Sequence, residues 1–421
     1  MALHHVVIVG AGFGGLAAAQ ELAGAAVRIT IIDQRNHHLF QPLLYQVATA
    51  ALATSEIAWP VRYLVRKRQE VTTLLGVVNG VDAPSRNIML EDGAVVPFDT
   101  LVVATGARHA YFGHDEWEPF APGLKTLEDA TSIRRRVLLS LERAERESDP
   151  ERRAALLTYV IVGGGPTGVE MAGAIVELVY QNLVGEFRRI DTRQARVLLI
   201  EAGPRILPSF APDLSAYTHR ALERLGVEVQ VGSAVTDCNS SGVVVGGRSI
   251  AADVILWAAG VRASPAAVWL GAPADNAGRV KVAADLTVPG HADIFVIGDT
   301  ATISVWHGKP APGIAPAAKQ QGVHVARTIK RRLAGDPEPR AFRYRHAGDL
   351  ATIGKRSAVI DFGWCKLRGR IAWWVWGLAH IYFLIGLRNR LAVALSWLWI
   401  YTTGSRSACL ITQVDHNKRT N

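Results

Sequence analysis

The chain opens on a run with no polar interruption. Residues 5–10, HVVIVG, are almost continuously apolar, the pattern of a parallel strand covered on both faces. After a glycine-rich turn, LAAAQELAG reads as a helix, and VRITIID, ending at Asp33, reads as a second buried strand. The same succession returns further on: YVIVG, then VEMAGAIVELVYQNL, then RVLLIEAG with its strand ending at Glu201. Two more buried strands are predicted, LVVATGA at 101–107 and IFVIGD at 294–299. Before the second repeat, RRRVLLSLERAERESDPERR reads as an exposed charged helix, with residues 134–136 on its solvated face. Towards the C-terminus the pattern changes. Residues 371–387 carry one His and two Gly among apolar neighbours, Arg388-Asn389-Arg390 interrupts, and residues 391–401 are apolar again.

The turns between strand and helix hold the candidate chemistry. The first is Gly10-Ala-Gly12-Phe-Gly14-Gly15 and the second is Gly163-Gly164-Gly165-Pro166-Thr167-Gly168. Strand, tight glycine turn, helix, strand and terminal acid together form the dinucleotide-binding fingerprint. The leading glycine permits the turn. Gly12, and Gly165 in the second motif, let the backbone approach a pyrophosphate seated on the helix N-terminus. Asp33 is placed to accept ribose hydroxyls. Glu201 is placed to bind the ribose 2′- and 3′-hydroxyls and repel a 2′-phosphate, favouring NADH over NADPH, although nearby Arg205 is able to accept that phosphate. The distance from Gly168 to Glu201 is longer than usual, and residues 184–196 are expected to absorb it as a helix extension and loop.

Two fingerprints imply two dinucleotides face to face, FAD on the first and NADH on the second. Thr105 and Gly106 lie in a small-residue turn after a strand, where a backbone approaches a cofactor. Asp299, just past a strand end, is expected to hold the ribityl or phosphate region of the flavin. Glu170 sits on the first turn of the second helix, where it would steer the carboxamide or take a proton; the competing reading is compensation of the helix dipole.

These elements predict an α/β fold: two Rossmann-like dinucleotide-binding domains, as in glutathione-reductase-like flavoproteins, plus a C-terminal membrane-associating helical tail. The FAD-binding domain is expected in two parts, 1–112 and 272–330. A helical connection at 113–154 and the NAD(H)-binding domain at 155–271 separate them, and 331–421 form the tail.

Composition bears chiefly on the tail. The net charge of +9 suits either nucleic acid or an anionic membrane surface. Residues 362–414 contain no Asp or Glu, six Lys or Arg and six of the eleven Trp. Base paired with indole points to lipid and away from nucleic acid. Neither apolar stretch supplies the roughly 20 residues of a clean span, so two interfacial helices are expected. Trp373, Trp374, Trp376, Tyr382, Phe383, Trp397 and Trp399 would supply apolar area. Lys366, Arg368, Arg370, Arg388, Arg390 and Arg406 would face an anionic lipid surface. A dimer interface or a lid over the core is the competing reading, and His380 reads as a packed histidine. No secretory signal is evident at the N-terminus. Cys238, Cys365 and Cys409 form no CxxC, metal spacing or disulfide framework.

Taken together, the chain resembles the type II NADH:quinone oxidoreductases, the single-chain, non-proton-pumping NADH dehydrogenases. The resemblance rests on VVIVGAGFGGL, NHHLFQPLLYQVATAAL, VVATGA, VGGGPTGVEMAG, LIEAGPRILP, WAAGVRASP (with Gly260), IGDTA, APAAKQQG and the Trp-rich tail with LIGLRNRL. It implies FAD, NADH as substrate and a membrane quinone as acceptor, with no proton pumping. It also implies a peripheral place on the cytoplasmic face of the cell inner membrane, and a homodimer. The family's AQxAxQ segment, lining the junction of flavin and quinone, reads Ala315-Pro316-Ala317-Ala318-Lys319-Gln320. Gln320 matches, whereas Pro316 and Lys319 depart. Those departures motivate an alternative: a membrane-bound NADH-binding flavoprotein with a degraded quinone site, acting as a sensor or using another acceptor. A disulfide reductase or a sulfide:quinone oxidoreductase would need a cysteine pair at the flavin, which the sequence lacks.

Overall fold

The computed structural model describes residues 3–306, 308–406 and 408–412. The chain divides into two compact units. One comprises residues 1–39, 58–108 and 261–347, the other 40–57, 109–260 and 348–421. The expected boundaries at 113, 155, 272 and 331 therefore shift. The helical connection, residues 40–57 and the tail from residue 348 join the unit that carries the second fingerprint, while 331–347 stay with the first.

The first unit is built on six strands in the order Thr287–Val288, His291–Val296, Thr100–Val103, His4–Val9, Val27–Asp33, Val71–Leu75. All pairings are parallel except that between the first two. Val6, Ile8, Ile29, Ile31 and Phe295 pack on one face against Ala18, Val325 and Ile329 from helices Phe13–Glu21 and Ala315–Leu333. Val7, Val9, Leu101, Val103 and Val296 pack on the other against Ile88, Leu90 and Leu270. Both faces are covered, which explains why the strands read as unbroken apolar runs. The two helices meet at glycine: a Cβ on Gly322 would lie 2.2 Å from the Gly14 carbonyl oxygen.

In the second unit four parallel strands run in the order Val227–Val231, Arg196–Glu201, Thr158–Val162, Val254–Trp257. Helix Pro166–Glu177 follows the central strand and continues through the wider turn Leu178–Asn182. The extra length at 184–196 is loop up to strand Arg196–Glu201, with one short 3-10 turn, Thr192–Gln194, and not the expected helix extension. Helix Leu127–Arg146 is closed by a capping box between Thr126 and Asp129. Arg134, expected on its solvated face, is instead buried, and burial lowers its affinity for the proton. The helix is amphipathic, and position 134 falls on the side carrying Ile133, Val137, Leu138 and Leu141.

The tail begins as a three-stranded antiparallel sheet, Asp349–Thr352, Ala358–Asp361 and Lys366–Arg368. Helices Gly369–Phe383 and Leu387–Thr403 follow, separated by a turn in which Gly386 has φ +81°. Among the described residues no helix is long and apolar enough to cross a membrane.

Candidate functional site

In the first unit the glycine turn divides into tight and open positions. Gly10, at φ +104°, donates to the Ile32 carbonyl at 2.7 Å. A Cβ there would lie 2.3 Å from the Ala104 oxygen, and one on Gly15 would lie 1.9 Å from the Gly10 oxygen. Gly14 is less tight, with Ile297 at 3.1 Å from the same position. Gly12 is the opposite case. A Cβ there meets nothing within 4 Å, and as N-cap of helix Phe13–Glu21 it makes no side-chain cap. Open space over uncapped N–H groups is the seat a pyrophosphate needs. Asp33 fixes the loop, accepting from Ala11 N–H at 2.6 Å and Arg35 N–H at 2.7 Å.

The other predicted contacts of this unit gather around Thr105. Its hydroxyl lies 2.5 Å from that of Ser264 and 3.2 Å from that of Thr300, while Thr300 donates to the Gly106 carbonyl at 3.1 Å. Asp299 stands in the turn Gly298–Thr300, just past strand His291–Val296. Buried Gln321 was not anticipated. Its side-chain oxygen accepts from Gly298 N–H at 2.6 Å and fixes that turn. Ser264 and Gln321 lie in stretches with no fingerprint, so only the fold reveals them. The open glycine, the uncapped helix and the acid fit FAD.

The second unit repeats the device. Gly163 has φ +109° and donates to the Ile200 carbonyl at 2.7 Å. A Cβ on Gly168 would lie 1.8 Å from the Gly163 oxygen, whereas one on Gly165 meets nothing within 4 Å. Glu201 accepts from Gly164 N–H and Gly203 N–H, each at 2.6 Å. Arg205 donates to the Phe210 and Pro208 carbonyls, both at 2.8 Å, so its guanidinium closes its own turn. Gly260 stands beside Phe112, whose ring a Cβ would meet at 2.5 Å.

Glu170, on helix Pro166–Glu177, lines a cavity of about 80 Å³ formed wholly by residues of this unit. Tyr45, Gln46, Thr352, Trp376, Trp397 and Arg406 line it as well. Burial pushes the Glu170 carboxyl up to about 8, so it keeps its proton at pH 7. The Tyr45 hydroxyl, also buried, is raised well above its ordinary value. It accepts from the Gln46 amide at 2.8 Å, and the Gln46 oxygen accepts from the Trp397 indole at 2.7 Å. The buried Trp376 indole N–H and Arg406 Nε have no partner among the described residues, which marks the cavity as suited to water or a polar ligand. Glu177, two turns beyond Glu170, also lines it. It lies 3.9 Å from Arg406 and accepts from Lys355 N–H, and burial still pushes its carboxyl up. A second glutamate seven residues on, in an otherwise apolar helix, was the signal available in the sequence.

Several expected surface groups are engaged elsewhere. Arg406 is buried and donates to the Thr49 carbonyl at 2.5 Å, because the chain turns inward after the Gly404 cap; it is not a lipid-facing cation. Trp376 is buried, and Trp397 is half-buried and bonded to Gln46, so neither offers free apolar area. Lys366 is paired with Asp213 at 3.0 Å. His380 is packed as expected: its Nδ1–H donates to the Trp376 carbonyl at 2.7 Å, and burial lowers its pKa to about 4. Pro316 falls in the first turn of helix Ala315–Leu333, where a missing N–H costs nothing. Gln320 commits both ends of its amide to the Arg345 main chain, each at 2.9 Å.

Comparison with known proteins gives two family matches. The pyridine nucleotide-disulphide oxidoreductase model matches residues 4–322, and the NDH2 C-terminal domain model matches residues 346–404. The type II NADH:quinone oxidoreductase Ndh of Mycobacterium tuberculosis is 43% identical, over 99% of this chain and 92% of that protein. The chain belongs to the type II NADH:quinone oxidoreductases. NdhA of the same organism, a second member, is 41% identical over 97% of this chain and 89% of its own length. A solved structure of NDH2 from Plasmodium falciparum in complex with NADH has a TM-score of 0.89 at 20% identity, covering 97% of this chain and 100% of that one. Beyond type II NADH:quinone oxidoreductases, the sulfide:quinone oxidoreductase of Aquifex aeolicus shares the fold, with a TM-score of 0.72 at 18% identity over 92% of each chain.

Proposed function

We propose that this chain transfers two electrons from NADH through bound FAD to a membrane quinone, without pumping protons. The observation that carries the reading is the paired cradle: two glycine turns, each tight at its first and last glycine and open at Gly12 and at Gly165 respectively. Gly10, Gly12, Gly14, Gly15, Asp33, Thr105, Gly106 and Asp299 would hold FAD. Gly163, Gly165, Gly168, Glu201 and Gly260 would hold NADH. When bound, FAD supplies the two-electron chemistry that links nicotinamide to quinone.

Reduction of a quinone by NADH consumes one further proton from solution. Glu170 is suited to hold it, since its carboxyl stays protonated at neutral pH. Gln320 acts here as a positioning residue that fixes the chain at Arg345. The names of the relatives favour quinone reduction over the degraded-site alternative. Burial pushes the Cys238 thiol up to about 12, which argues against thiolate chemistry at that residue.

The enzyme is further proposed to lie peripherally on the cytoplasmic face of the inner membrane. Ile371, Trp374, Leu378 and Tyr382 are exposed on successive turns of the first tail helix, and Leu387, Leu391, Leu395 and Leu398 on the second. Ala372, Trp376, Val393 and Ile400 are buried on the same helices. Contiguous exposed apolar stripes of this kind suit a bilayer surface; a homodimer that covers them is the other expectation. Steady-state turnover of purified protein with NADH and a short-chain quinone tests the main reading. NADH oxidation with an artificial acceptor but with no quinone would overturn it.

A further inference from the structure

Beside the exposed stripe of the first tail helix lies a basic cleft that the electron-transfer reading does not use. One part, about 320 Å³, is lined by Arg356, Arg370, Trp373, Trp374 and Tyr401. A second part, about 490 Å³, shares Arg356 and Tyr401 with it and adds Tyr217, Arg224, Lys355 and Ser357 among its lining residues. All of these residues belong to the second unit. Arg224, Arg356 and Arg370 are exposed and form no ion pair among the described residues. The Arg356 guanidinium stacks 5.4 Å from the Tyr401 ring. Glu177, the one carboxylate in the lining, is turned to Arg406 and the Lys355 N–H. Three guanidinium groups with no counter-ion among the described residues thus line two adjoining concavities, with Arg356 and Tyr401 common to both. Trp374 carries the wall of the first onto the apolar stripe, and helix Gly369–Phe383 begins there with no side-chain cap.

We propose that this cleft binds the phosphate of an anionic phospholipid, with the acyl chains lying along Trp374 and the exposed face of the tail helices. Guanidinium is the group best matched to phosphate oxygens, which it meets with paired N–H donors. The uncapped N–H groups at the start of the helix add to the field that favours an anion. Indole and phenol rings at the rim sit at headgroup depth. A free phosphate ion would satisfy the guanidinium groups but would leave the apolar wall wet, which favours the lipid source. The proposal rests on the membrane-surface reading of the tail and adds to it a defined headgroup site.

The test compares co-flotation of the full-length, FAD-loaded protein with two kinds of vesicle: phosphatidylcholine alone, and phosphatidylcholine with a minor fraction of phosphatidylglycerol. The variant Arg224→Gln/Arg356→Gln/Arg370→Gln is set against Arg152→Gln/Arg188→Gln/Arg248→Gln, which removes the same charge from exposed positions of the same unit. Each cleft arginine near the headgroups contributes about fivefold. The cleft variant should therefore lose about a hundredfold of the gain from phosphatidylglycerol. The control should lose far less, and turnover with short-chain quinone in detergent should be unchanged in both. Equal losses in the two variants would overturn the proposal. So would an anionic preference abolished by millimolar inorganic phosphate, or a cleft variant whose defect is a changed oligomeric state in sedimentation. Wild-type protein that floats with neither vesicle would defeat the membrane-surface reading itself.

Discussion

Glu170→Gln is the change whose consequences can be worked furthest. The amide keeps the shape of the side chain and removes its titration. Burial lifts the Glu170 carboxyl from 4.5 to about 8, which corresponds to about 5 kcal/mol at roughly 1.36 kcal/mol per pH unit. Below the ordinary carboxyl range, folded and unfolded chains both hold the proton and the fold loses nothing. As pH rises, the unfolded chain ionises freely while the folded site stays protonated. Stability therefore drains away until the folded group itself ionises near pH 8. The glutamine variant has no such loss. Relative to Glu170→Gln, wild-type protein should lose several kcal/mol between about pH 5 and pH 8, water in the cavity absorbing part of the full 5 kcal/mol. Urea unfolding of the FAD-loaded proteins across that range measures it. In turnover, wild-type quinone reduction should fall above about pH 8 as Glu170 loses its proton. The variant should be slower and flat in pH, yet still bleach its flavin with NADH alone. A stability difference that stays constant with pH would refute the burial argument, and an alkaline limb retained in the variant would refute the role in proton supply.

Five further outcomes follow. Gly12→Ala and Gly165→Ala should fold, since a methyl meets nothing within 4 Å at either position. The first should be isolated with little flavin by absorbance ratio, and the second should keep its flavin but raise the KM for NADH. Gly10→Ala, by contrast, would set a methyl 2.3 Å from a carbonyl oxygen and should yield no folded protein. Wild-type enzyme should prefer NADH to NADPH on the order of a hundredfold in kcat/KM through like-charge repulsion at Glu201. Glu201→Gln should narrow that gap while weakening NADH as well, because the carboxylate also holds Gly164 and Gly203. Pro316→Gln should lower the quinone KM and leave flavin reduction unchanged, an unaltered KM showing that position 316 does not face the acceptor. Gln320→Ala should instead cost stability, about 1–2 kcal/mol by thermal or chemical unfolding, for the two bonds lost to Arg345. Leu391→Glu/Leu395→Glu should move the protein to the soluble fraction at low salt while leaving short-chain quinone turnover intact, and retention on membranes would count against the exposed stripe as the docking face.

The sequence alone was enough to place both cradles, because everything a glycine fingerprint needs is local. The turn, the helix N-terminus and the acid lie within one strand–helix–strand unit, so spacing fixes Gly10, Gly12 and Asp33, and likewise Gly163, Gly165 and Glu201. It also separated the Trp-rich tail from the nucleotide-binding core by charge and composition. What it left open depends on residues far apart in the chain. Arg406 reads as one more basic group of a membrane-facing tail, and only the fold turns it inward to Glu177 and the Thr49 carbonyl. Trp376 and Trp374 are indistinguishable as letters, yet two residues on a helix point nearly opposite ways, and one is buried while the other is exposed. Gln320 and Gln321 are neighbours with different partners, the first at Arg345 and the second at Gly298. The raised pKa of Glu170 likewise depends on Tyr45, Thr352 and the tail helices closing around it, since desolvation belongs to the enclosure and not to the residue.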